Sequence, residues 1–207
     1  MQLWLVRHAQ PLVEPGICYG AMDIPADPQA TALAAAELAA TLPTGLRIHH
    51  SPLQRCELLA QHLCRLRPDL TLKPVPDLRE MDFGAWEGQR WDSIAAQELQ
   101  NWTANFARYR CGDTGESTLQ LMQRVHSVLK ACLQPSELLQ PDTPTVWITH
   151  AGVMRAADWL HQRGLATLGA HPLCLRAAEW PRRALGFGQV QKLDWPDLAR
   201  QQAAPGP

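Results

Sequence analysis

The sequence predicts an α/β fold with a mostly parallel sheet covered by helices on both faces. Two patterns carry that expectation. Short apolar runs of strand length alternate along the chain with longer stretches of helical periodicity. The runs are apolar at consecutive positions, as strands buried on both faces require. At 207 residues and 46% hydrophobic content, the chain can bury one core of ordinary size. Residues 1–200 are therefore expected to form a single domain, with 201–207 a polar, Ala/Pro-rich tail that frays.

Leu3 to Val6 is the first strand. Asp27-Pro28 then supplies an N-cap and an N1 proline for a helix to about Thr41. Leu46-Arg47-Ile48-His49 is the second strand. Ser51-Pro52-Leu53-Gln54 reads as a capping box with proline at N1, and its helix puts Cys56, Leu59, Ala60 and Leu63 on one face. Leu70 to Val75 is a weaker strand signal. Residues 80–116, rich in Trp, Gly and charge, read as an excursion over the sheet. Leu121, Val125, Val128 and Cys132 mark a helix after Ser117, and Thr145 to Thr149 is another strand. Val153, Ala156, Ala157 and Leu160 mark a last helix after His150. Trp4 and Trp147, lying in strands, are expected in the core.

Charge excludes some function classes. Nineteen basic and 20 acidic residues give a net charge of −1, without the cationic excess that nucleic-acid or membrane-surface binding needs. No apolar run approaches the roughly 20 residues of a bilayer span. The N-terminus shows no basic leader followed by an apolar stretch, so a cytoplasmic protein is expected. The six cysteines form no Cys-x-x-Cys pair or zinc spacing, which points to free thiols in a reducing compartment and to no metal or cofactor. Sixteen of the basic residues are Arg and three are Lys, mostly a compositional bias. A few of those guanidinium forks are candidates for holding an oxyanion.

In an open parallel sheet, ligands bind beyond the carboxyl ends of the strands. The first strand ends in Arg7-His8. The second ends in His50-Ser51, with Arg55 in the first turn of the next helix. The third ends in Thr149-His150-Ala151-Gly152, where helix N–H groups can receive an anion. Glu80 lies in a Gly/Trp loop, Leu78-Arg79-Glu80-Met81-Asp82-Phe83-Gly84-Ala85-Trp86-Glu87-Gly88, of the kind that covers a pocket. Two His, two Arg and a carboxylate suit phosphoryl transfer without metal. The remaining histidines read differently: His49 as packing, and His62, His126, His161 and His171 without a role.

Four motifs in order, Leu-Val-Arg7-His8-Ala-Gln, Ser51-Pro-Leu-Gln-Arg55, Glu80-Met-Asp-Phe-Gly-Ala-Trp-Glu-Gly and Thr-His150-Ala-Gly, resemble the histidine phosphatase (phosphoglycerate mutase-like) superfamily. Gly115-Glu116-Ser117 resembles the family's segment before its long helix. The resemblance implies a three-layer α/β/α sandwich, with His8 as nucleophile and Glu80 as proton donor. It also implies that Arg7, Arg55 and His150 form the phosphate pocket. A neutral His8 imidazole can attack phosphorus in line, and each guanidinium can offer paired donors to the phosphoryl oxygens. The Ala151 and Gly152 N–H groups are candidate additional donors. Partial burial under the Trp86 loop, or the substrate's own charge, would keep Glu80 protonated. Gln10 is a candidate contact, and Tyr19 and Trp86 are candidates for lining the substrate mouth.

The chain departs from the family pattern at Ala9, Pro11 and Glu14, where Gly, Thr and Asn are usual. Loss of the Asn removes one phosphate donor, and Glu14 is expected to turn outward, since an inward carboxylate would repel the substrate. The expected activity is a metal-independent phosphomonoesterase acting on a small organic phosphate. Mutase-type transfer is an alternative, and a non-catalytic phosphate-binding relative a third. Phe83-Gly84-Ala85-Trp86-Glu87-Gly88, in place of the mutases' Arg-His-Tyr-Gly stretch and longer insertion, favours the phosphatase. Length, that loop and Cys18-Tyr19-Gly20-Ala21-x-Asp23-x-Pro25 resemble the α-ribazole phosphatase branch of cobalamin synthesis, making α-ribazole 5′-phosphate a candidate substrate.

Overall fold

The computed structural model describes residues 2–133, 143–165, 175–182 and 185–195. In chain order the elements are β1 (Gln2–Arg7), α1 (Pro28–Thr41), β2 (Arg47–His50), α2 (Gln54–Leu66), β3 (Thr71–Pro74), α3 (Ala96–Ala104), α4 (Thr118–Leu133), β4 (Thr145–Thr149), α5 (Ala151–Arg163) and β5 (Val190–Asp194). The sheet order is β3-β2-β4-β1-β5. The first four strands are parallel, and β5 closes the edge antiparallel to β1.

Strand alternation divides the core in two. Leu3, Leu5 and Trp147 face α4, α5 and the 80–116 excursion. Trp4, Val6, Val146 and Ile148 face α1 and α2. This two-sided burial is why β1 and β4 read as unbroken apolar runs, and it makes the three-layer sandwich. Trp147 is fully buried and Trp4 nearly so.

Helix starts follow local chemistry, with one correction. Asp27 caps α1, its carboxylate accepting the Ala30 N–H at 2.7 Å. Ser51 does not cap α2. That helix begins at Gln54, and its terminal Gln54 N–H donates to the Asp23 carboxylate at 2.7 Å, from a loop far earlier in sequence. The reciprocal box forms instead at α4, where the Ser117 N–H donates to Gln120 Oε1 at 2.8 Å and the Gln120 N–H to Ser117 Oγ at 3.3 Å.

The sequence reading lacks α3 and β5. Neither has the needed signal: α3 buries no residue fully, and only Leu193 of β5 is buried. The excursion packs on the α4/α5 side through a Trp86, Trp91, Trp102 and Tyr109 aromatic cluster. Among the described residues the cysteines are free thiols, and no helix is long and apolar enough to cross a membrane. Cys174, His171 and the 201–207 tail lie outside the described residues.

Candidate active site

The parallel ladder brings three strand exits together. The His8 N–H donates to the Thr149 carbonyl at 3.1 Å, and the Ser51 N–H to the Ile148 carbonyl at 3.0 Å, so both neighbouring exits are fastened to β4. His8 is 2% exposed, and its ring centroid lies 5.1 Å from that of His150. His8 Nδ1 lies 2.7 Å from the Ala9 carbonyl, which can only accept, so Nδ1 carries the proton and the Nε2 lone pair is left free. Burial, with the charges of Arg55 and Arg7, pushes this imidazole down to about 3, so it is neutral at pH 7.

His150 is fully buried and held in one tautomer. Its Nδ1 accepts the Arg55 Nε–H at 3.2 Å, which puts the proton on Nε2, 2.8 Å from Ser51 Oγ. Burial and the Arg55 charge drive its pKa well below the ordinary imidazole value. Arg55, also fully buried, does more than offer a free fork. Its Nη atoms donate to the Met22 carbonyl at 2.7 Å and the Gly20 carbonyl at 2.6 Å, so one N–H on each nitrogen is engaged. One N–H on each terminal nitrogen remains for a ligand. Tyr19 lies half-buried with its ring 5.6 Å from the Arg55 guanidinium.

Arg7 stacks over Phe187 at 3.9 Å and donates to the Leu185 carbonyl. Its Nε is buried and has no hydrogen-bond partner. Glu80 rests against the N-terminus of α5, its carboxylate accepting the Gly152 N–H at 3.0 Å and the Met81 N–H at 2.9 Å. A Cβ at position 152 would stand 2.3 Å from Glu80 Oε1, so only glycine permits this approach. The Gly152 N–H thereby serves the carboxylate, leaving the Ala151 N–H as the helix-end donor at the exit.

Two expectations change. Trp86 does not line the mouth: it is 2% exposed inside the aromatic cluster, and its indole N–H donates to Glu98. An indole in this loop gains more from burial with a carboxylate partner than from solvent. Gln10 is exposed, and its engaged group is the backbone carbonyl, which accepts the Asp27 N–H at 2.7 Å. Glu14 is exposed, within electrostatic reach of Arg90, in line with an outward carboxylate.

Sequence reasoning misses Ser51 as a His150 partner, Phe187 and Arg155. Phe187 has a signal in Gly186-Phe187-Gly188. Gly188 adopts φ +74°, and its N–H donates to the Arg7 and His8 carbonyls at 3.2 and 3.1 Å, placing the Phe187 ring 5.5 Å from that of His8. Arg155 lies one helical turn beyond Ala151 on the same face of α5, where side chains lean toward the helix start. Its charge reaches Arg7.

The depressed imidazoles make stability acid-sensitive. Unfolded histidines take up protons below about 6.5. Folded His8 does so only near 3, so stability present above 6.5 is lost as pH falls toward 3. At pH 5 each such imidazole costs about 2 kcal/mol. The melting temperature is expected to drop between pH 7 and pH 5, and the drop should shrink in His8→Asn. Equal melting temperatures at both pH values would contradict this electrostatic picture.

Among the described residues no group of three His, Cys, Asp or Glu is placed to hold a metal ion. Comparison with known proteins agrees with the fold and the motifs. A family model described as the histidine phosphatase superfamily (branch 1) matches residues 3–182. The crystal structure of TTHB049 from Thermus thermophilus is 28% identical, with 95% of each chain covered and a TM-score of 0.65. A phosphoglycerate mutase from the same organism is 27% identical, covering 95% of this chain and 94% of its own, with a TM-score of 0.65. A mycobacterial glucosyl-3-phosphoglycerate phosphatase shares the fold at 23% identity, covering 92% and 88%, with a TM-score of 0.69. No curated protein matches the chain.

Proposed function

The chain belongs to the histidine phosphatase superfamily, and we propose that within it this protein is a metal-independent phosphomonoesterase using a phosphohistidine at His8. One observation carries the reading: the Ala9 carbonyl holds the His8 proton on Nδ1 and leaves Nε2 as an unprotonated nucleophile among Arg7, Arg55 and His150. Nε2 attacks phosphorus as the ester P–O bond breaks, and Glu80 relays the proton of the bound phosphomonoester monoanion to the departing oxygen. Glu80 then takes a proton from the water that splits the P–N bond, restoring His8. Arg7 and the free Arg55 donors meet the phosphoryl oxygens, supplying the charge compensation that a metal provides elsewhere, while His150, hydrogen-bonded to Ser51, holds the Arg55 guanidinium in place.

Substrate choice rests on the mouth. The Phe187 ring stacks on the Arg7 guanidinium and the Tyr19 ring lies 5.6 Å from that of Arg55, aromatic surface that suits a flat heteroaromatic group and supports α-ribazole 5′-phosphate as a candidate. The likeness to a phosphoglycerate mutase favours a second reading, return of the phosphoryl group to another substrate hydroxyl. A panel of metabolite phosphates including α-ribazole 5′-phosphate, assayed with EDTA present, tests the first. Phosphate release is expected to persist in EDTA, and a strict need for added metal would refute it. Efficient conversion of 3-phosphoglycerate with the bisphosphate primer would establish the mutase instead.

A further inference from the structure

A second cationic site lies away from the phosphoryl pocket and shares no residue with it. A cavity of about 430 Å³ opens between the β2–β3 edge and α4, within the size range of small-ligand sites. Strand geometry explains its charge. Arg47 and His49 are two residues apart on β2 and so share a face, and His49 stands directly opposite Lys73 on β3. All three line the cavity. Arg47 and Lys73 lie diagonally on that same face, where two cations repel, an arrangement that an anion between them would relieve.

Nothing among the described residues fills that role. Arg47 and Lys73 make no hydrogen bond or ion pair there, and His49 Nδ1 is buried without a partner. Among the described residues Asp77 is the carboxylate lining the cavity, and no ion pair joins it to Arg47 or Lys73. Burial, with the Lys73 and Arg47 charges, pushes His49 down to about 4, so those two cations act on a neutral imidazole. On the opposite wall α4 presents Val128, Ala131 and Cys132 beside Ser127. We infer that this cavity binds a small organic anion, its carboxylate, sulfonate or phosphate head between Arg47 and Lys73 and its apolar body against Val128 and Cys132.

The test uses phenylbutyrate as probe and neutral phenylbutanol as control, titrated into the isotope-labelled full chain and followed by amide shifts. Saturable shifts at Arg47, His49, Lys73 and Val128 are expected, with the alcohol binding about tenfold more weakly or worse. Arg47→Gln combined with Lys73→Gln should weaken the acid about tenfold and leave the alcohol unaffected. Because both side chains are exposed, p-nitrophenyl phosphate turnover in that double variant should be unchanged, confirming an intact fold. The inference is overturned by absent saturation, by shifts confined to the His8 and Arg7 region, by equal affinity for acid and alcohol, or by undiminished affinity in the double variant.

Discussion

Replacing His8 by Ala is expected to lower p-nitrophenyl phosphate turnover by at least about 10⁴-fold and to abolish acid-labile phosphoenzyme. The size follows from the lack of a substitute. His150, the other imidazole at the site, has its Nδ1 occupied by the Arg55 Nε–H and its proton on Nε2, so it presents no free lone pair. The Cys56 thiol, 3.4 Å from His150, is pushed above the usual thiol range by complete burial and is no thiolate at neutral pH. The variant should still fold, since removing a buried neutral imidazole also removes its acid-linked penalty. Undiminished turnover would refute the role given to His8.

Arg55→Met is the second large effect. The side chain is fully buried, and removing its head leaves the Gly20 and Met22 carbonyls and His150 Nδ1 without their donor. Losing a buried, multiply bonded charge costs about 3–5 kcal/mol. In a domain of this size, that lowers the melting temperature by about 10 °C. kcat/KM should fall by about 10³-fold, because the clamp and the His150 tautomer fail together. Arg55→Lys keeps the charge and not the fork, so it should restore little. A thermal scan and steady-state kinetics check both parts, and a wild-type melting temperature in Arg55→Met would contradict the strut assigned to this residue.

Residues whose roles depend on position along a strand or helix were legible. Arg7, His8, Ser51 and His150 fall at strand exits because parallel strands share one carboxyl edge. The α1 cap was legible because Asp27-Pro28 acts within one turn. What failed depends on partners distant in sequence. Ser51 resembles a cap because its spacing to Gln54 fits, yet its hydroxyl faces His150 and the Leu53 N–H. Trp86 reads as lining the substrate mouth, whereas it fills an aromatic core. Glu87 accepts the Ala21, Met22 and Phe83 N–H groups at 2.8, 2.6 and 2.9 Å, tying two loops together. Gly20 belongs to the same join: a Cβ there would lie 1.9 Å from the Met81 carbonyl oxygen. No local window contains both sides of such contacts.

The position of β1 has a consequence for how the molecule is made. It is made before the other strands of its sheet, yet it lies between β4 and β5, with Leu3 paired to Thr145 on one side and Leu193 on the other. Its two sheet neighbours are absent until β4 and β5 have been synthesised. Such long closures slow folding and leave strand edges open to wrong partners. A ribosome-held chain ending before β4 would lack the Thr149 carbonyl that fastens His8. Assembly of the His8 site therefore waits for β4, and the early chain, with β1 uncovered, is the species most in need of a chaperone.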